Sequence, residues 1–173
     1  FFTNDHQLQV DYVNNEYGLF DIGSSKVIAN GWLMDGNVAS TDPVLYISNS
    51  FFSSVYNMPV LHFDSIICTN TTCHMDLTFN CNYLQGPNGL LILDFTGSVS
   101  LTHIKKAVIA DDLLIQNHTI FDTLLINTPG TTVTLDDTLQ INNKLYIASL
   151  PGIPSKITWN FNLPVIYMQS GLI

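Results

Sequence analysis

The chain contains no arginine and a single glutamate, Glu16, and only 11% of its residues are charged. Soluble domains average about 25% charged residues. The deficit is selective, because five lysines face 13 aspartates and leave a net charge of −9. Phosphate backbones are held by clusters of lysine and arginine, so nucleic acid is excluded as a partner, and an anionic membrane surface is disfavoured for the same reason. No run approaches the roughly 18 consecutive apolar residues of a membrane helix, and no window carries an apolar stripe at helical spacing between caps. Recurrent catalytic signatures are missing as well. There is no Gly-x-Ser-x-Gly elbow, no glycine-rich loop leading to a lysine, and no EF-hand spacing.

Polarity comes instead from Asn, Thr and Ser, which suit strands and turns better than helices. With 46% hydrophobic residues and 11% aromatics, the 173 residues can bury a core as one domain, 1–173. Short alternating segments at 8–12, 17–20, 27–34, 44–47, 60–68, 73–84, 90–95 and 98–104 are separated by turn signals such as Asp35-Gly36-Asn37 and Gly86-Pro87-Asn88-Gly89. This pattern predicts an all-β fold, a β-sandwich of jelly-roll or immunoglobulin-like type with about ten short strands. In the last third, Val133, Leu135, Leu139, Ile141, Leu145 and Ile147 all share odd numbering. Three-residue hairpin loops at 136–138 and 142–144 would pair Leu135 with Leu139 and Ile141 with Leu145, which predicts a meander. The same parity suits a β-solenoid, which is the second reading and stands behind the sandwich because no fixed repeat period spans Leu114, Leu125, Val133 and Leu145. Residues 164–173 read as a terminal edge strand beside Pro164.

Cys68, Cys73 and Cys81 cluster. A hairpin over 69–72 would set Cys68 opposite Cys73 for a disulfide and leave Cys81 as a buried thiol, although three cysteines permit other pairings. Asn70 and Asn117 each begin a glycosylation sequon. Disulfide and sequons together point to an extracellular location. Cys68, Cys73 and His74 also spell an expanded c-type haem motif, against which the alternation places His74 on the face opposite Cys73. No cofactor is therefore expected. Calcium is the cation whose oxygen ligands the aspartate-rich turns offer. The pairs Asp111-Asp112 and Asp136-Asp137 read as turn residues rather than a catalytic dyad, and a non-enzymatic role is expected.

Two roles follow. In its broad profile, a β-rich chain with few reactive groups and apolar ends, the protein resembles the β-sandwich pilins and thread-like filament subunits of cell surfaces. That resemblance implies a homo-oligomer or polymer built by strand addition, with residues 1–13 as donor strand and Leu8, Val10 and Tyr12 filling pockets of the next subunit. Those three residues read equally as an ordinary first strand. The alternative role is a carbohydrate-binding or adhesin module, with Trp32, Trp159, Tyr46, Tyr56 and Tyr83 as sources of a sugar platform. A common exposed face for these aromatics would favour binding over assembly.

Overall fold

The computed structural model describes residues 6–15, 18–34, 37–53, 60–69, 72–94, 101–159 and 166–168. Its strands are β1 (Leu8–Asn15), β2 (Leu19–Asp21), β3 (Lys26–Met34), β4 (Asn37–Ala39), β5 (Val44–Ser53), β6 (Leu61–Cys68), β7 (Thr72–Asp76) and β8 (Phe79–Gln85). They continue as β9 (Leu90–Asp94), β10 (Thr102–Ile109), β11 (Leu113–Ile115), β12 (Thr119–Ile126), β13 (Thr132–Leu135), β14 (Leu139–Ile147), β15 (Lys156–Trp159) and β16 (Ile166–Met168). Every pairing between these strands is parallel. The molecule is a β-solenoid of about six turns and not a sandwich.

Each turn runs over three faces. The first face stacks the leading parts of β6, β8, β10, β12 and β14 with β16. A break in pairing follows, at Asp64, Asn82, Lys105 and Asp122, and bends the chain into the second face. That face stacks β1 and β3, the start of β5, and the trailing parts of β6, β8, β10, β12 and β14. The third face joins the ends of β1, β3 and β5 to β7, β9, β11, β13 and β15.

Alternation turns one side of every strand into a single interior. On the first face Phe63, Cys81, Ile104, Phe121 and Ile141 follow one another in register, all buried. Val27, Leu45, Ile66, Leu84, Ala107, Leu124 and Leu145 do the same on the second, and Met75, Leu93, Ile115 and Leu135 on the third. Each fully buried aliphatic or aromatic side chain contributes about 1.5–3 kcal/mol. Edge-to-face contacts of Phe63 with Phe79 at 6.1 Å and of Phe20 with Trp32 at 5.9 Å tighten the stack.

The expected hairpins are replaced by corners. Leu135 and Leu139 both point inward, but β13 pairs with β11 and β15 while β14 pairs with β12 and β16. A chain that turns a corner keeps inward parity just as a three-residue hairpin does, so the odd-numbered run fits both. No fixed repeat was visible because the step between rungs varies. Hydrogen-bonded side chains on neighbouring turns are 18 residues apart for Asn82 and Asp64 but 24 for Thr134 and Thr158. Corners absorb the difference, as at 149–155, where Leu150 and Ile153 form a local bridge. Gly130 occupies one such corner at φ +86°, where an added Cβ would lie 2.9 Å from Ile153 Cγ2.

The proposed Cys68–Cys73 hairpin is also a corner, since β6 and β7 do not pair with each other and both pair with β5. All three cysteines are free and buried. The Cys68 thiol is hydrogen-bonded with Cys73, and together with burial this pushes its pKa well up. Burial, followed by the nearby Asp64 carboxylate, raises Cys81 in the same direction. No helix among the described residues is long and apolar enough to cross a membrane.

Candidate glycan-binding groove

Strand alternation presents the other half of each strand to solvent. On the first face the outward positions in register are His62, Asn80 and His103, followed by Ile120 and Gln140. At the adjoining bend lie Asp64, Asn82, Lys105, Asp122 and Asn142. Apart from Ile120, these positions are all polar. Asp42, His62, Asn80, Asn82, His103 and Lys105, with Phe63 and Cys81 beneath them, line a groove of about 370 Å³. That is within the range of small-ligand sites.

Hydrogen bonds between turns and along the strands join several of the bend residues. Asn82 Nδ2 donates to Asp64 Oδ1 at 3.1 Å, and Ser65 Oγ donates to Asp64 Oδ2 at 2.9 Å. His103 and Asp122 are joined through Nε2 and Oδ1 at 2.9 Å, with the ring N–H donating to the carboxylate. Asn142 Nδ2 donates to the same Oδ1 at 2.8 Å and accepts through Oδ1 from Gln140 Nε2, also at 2.8 Å. Asp42 sits at the rim with φ 55°, a left-handed conformation uncommon for a residue other than glycine. Of the groove-lining side chains, Asn82 and His103 are thus held in place before any ligand arrives.

Partial desolvation opposes ionisation of Asp122, but the hydrogen bonds from His103 and Asn142 outweigh it and hold the carboxyl below its ordinary value. Lowered in the fold, this carboxyl stabilises the native state above its unfolded pKa of about 3.9, and the stabilisation fades as pH falls through the lower folded value. The His103–Asp122 contact is therefore expected to persist from pH 7 to 5 and to be lost in stronger acid. In urea unfolding followed by circular dichroism, Asp122→Asn should show a shallower loss of stability than the parent below about pH 4. Equal slopes would mean that the contact contributes nothing.

No family model, curated protein or solved structure matches this chain. The site is therefore read from its own geometry. Of the sequence-derived aromatics, Trp32 is fully buried, Trp159 is 63% exposed on the third face, and Tyr46 and Tyr83 are half-buried on the second. Tyr56 lies outside the described residues. The aromatics therefore do not gather on one exposed face: Trp159 stands on the third, and only the half-buried Tyr46 and Tyr83 share the second.

Leu8 and Val10 pair with the inward residues Val27 and Ala29 and pack on the protein's own core. Tyr12 is 56% exposed, and all three line a cavity of about 460 Å³ at the first turn. Cys73 points inward while His74 is outward, 3.6 Å from Asp94. Asn70 lies outside the described residues, as do parts of the 1–13 and 164–173 segments. Asn117 is buried, its Nδ2 donating to Thr102 Oγ1 at 3.4 Å and its Oδ1 accepting from Thr119 at 3.1 Å. The paired aspartates serve corners: Asp112 Oδ1 accepts from the Thr132 amide at 2.7 Å, and Asp136 Oδ2 from Gln116 Nε2 at 3.3 Å. Among the described residues no three His, Cys, Asp or Glu side chains converge as a metal cage.

The sequence alone does not group His62, Asn80, Asn82, His103 and Lys105, because each is a lone polar residue. Only the register brings them together.

Proposed function

We propose that the protein is a non-enzymatic, extracellular carbohydrate-binding module of adhesin type, with the first-face groove as its sugar site. The observation that carries this reading is the polar lining of the groove, in which Asp42, His62, Asn80, Asn82, His103 and Lys105 come together and Asn82 and His103 are held by neighbouring carboxylates. Sugar hydroxyls donate and accept at once, so they are matched by side chains that offer both functions within a few ångströms. Asn80 and Asn82 offer both, Asp42 accepts, Lys105 donates, and His62 and His103 complete the ring. The packing of Leu8 and Val10 on their own core supports a binding role over donor-strand assembly.

The test is a neutral-glycan array followed by calorimetry on the tightest binder. Asn80→Ala and His103→Ala should each weaken that binder about tenfold or more, because each leaves a ligand hydroxyl and its neighbours without partners. Affinities equal to the parent's, or no neutral glycan bound at all, would refute the groove as the sugar site.

A further inference from the structure

The second face has a character the groove does not share. One outward row runs Lys26, Val44, Ser65, Tyr83, Lys106, Thr123 and Lys144, each in register with the next. The row beside it runs Ile28, Tyr46, Ile67, Gln85, Val108, Leu125 and Tyr146. Neither row contains a carboxylate. A chain with five lysines against 14 acidic residues thus places three of its lysines on one flat strip. All three are exposed, and the tyrosines are half-buried or, for Tyr146, 48% exposed. Two of the cations stand over rings of this strip: Lys26 Nζ is 4.7 Å from the Tyr46 centroid, and Lys144 Nζ is 5.9 Å from that of Tyr146. These contacts hold the ammonium groups above the aromatic row.

We propose that the second face binds a linear acidic polysaccharide laid along the solenoid axis, with sugar rings on the tyrosines and aliphatics and carboxylates on the lysines. The face lies across the bend from the groove, so this binding stands apart from the neutral-sugar site. Rungs about 4.8 Å apart put Lys106 and Lys144 roughly 10 Å apart and Lys26 and Lys106 roughly 19 Å apart. A small anion cannot bridge such distances, whereas a polymer can. The wide spacing fits a chain in which charged sugars alternate with neutral ones. It does not fit nucleic acid, whose charge density calls for more cations than three, on a protein that carries −9. Tyrosine rings with aliphatic neighbours provide the flat apolar strip that a sugar backbone needs between its charges.

The experiment measures retention of the full chain on immobilised, partly methyl-esterified polygalacturonate, with the fully esterified polymer in parallel. The parent is expected to bind the partly esterified polymer and to elute with rising salt, as screening shortens the reach of the lysines. The triple variant Lys26→Gln, Lys106→Gln, Lys144→Gln should bind it roughly tenfold more weakly. Its substitutions are exposed, so circular dichroism and neutral-glycan binding in the groove should be unchanged, which separates failure of this inference from failure of the groove. Tyr46→Ala with Tyr146→Ala should weaken retention on both polymers. Equal retention of parent and triple variant would overturn the proposal. So would lysine-dependent binding that is confined to anionic lipid vesicles, to single-stranded DNA or to a second copy of the chain.

Discussion

Phe121→Ala is expected to lower the free energy of unfolding by about 3–5 kcal/mol, the largest effect of any single truncation considered. Phe121 is fully buried in mid-stack and sits in register between Ile104 and Ile141. Removing its ring opens a void that the turns above and below cannot close, because their separation is fixed by two hydrogen-bonded ladders. Leu125→Ser, on the same strand but facing outward and half-buried, should change stability by about 0.5 kcal/mol or less. Urea midpoints of the two variants test the inside-outside assignment. Comparable losses would mean that β12 does not separate an interior from a surface.

Asn117→Ala should cost about 1–3 kcal/mol. Its carboxamide is the partner of Thr102, which is fully buried, and of the equally buried Thr119, in a corner with no solvent to replace it. Thr119 keeps a second acceptor in the Asn117 carbonyl at 3.1 Å, so the loss falls mainly on Thr102. The same geometry makes the Asn117-His118-Thr119 sequon a structural element. Attaching a glycan to Nδ2 would require that nitrogen to leave the interior. Peptide mass mapping of folded, secreted material is expected to find Asn117 bare, and a glycan there would show that the corner opens.

The balance between what the residues announced and what they concealed has a physical cause. Alternation marks which side of a strand is buried, and it does so correctly for Cys73, Met75, Leu77 and Phe79 and for Val133, Leu135, Leu139, Ile141 and Leu145. Alternation says nothing about the partner strand. Hairpin and corner both return the chain with its apolar residues inward, and here the variable steps from rung to rung hid the repeat that would have separated them. Thr78 shows the limit at the level of one residue. The alternating pattern predicts it outward, yet it is buried where the chain bends between β7 and β8. Both proposed binding surfaces depend on this hidden register. His62, Asn80 and His103 fall into line only when β6, β8 and β10 stack, and the same holds for Lys26, Lys106 and Lys144 on the next face.

The measurement closest to the centre of this account is therefore the register itself, read by cross-linking. Val108 and Leu125 are outward neighbours on parallel strands, as are Leu125 and Tyr146. Strands about 4.8 Å apart bring Cα atoms within the span of a disulfide. The double variants Val108→Cys with Leu125→Cys, and Leu125→Cys with Tyr146→Cys, should each close a disulfide under mild oxidation in the folded protein. The pair Thr134→Cys with Gln140→Cys, which a meander would set face to face, should stay reduced. Closure of that last pair in place of the first two would contradict the solenoid and remove both proposed binding surfaces with it.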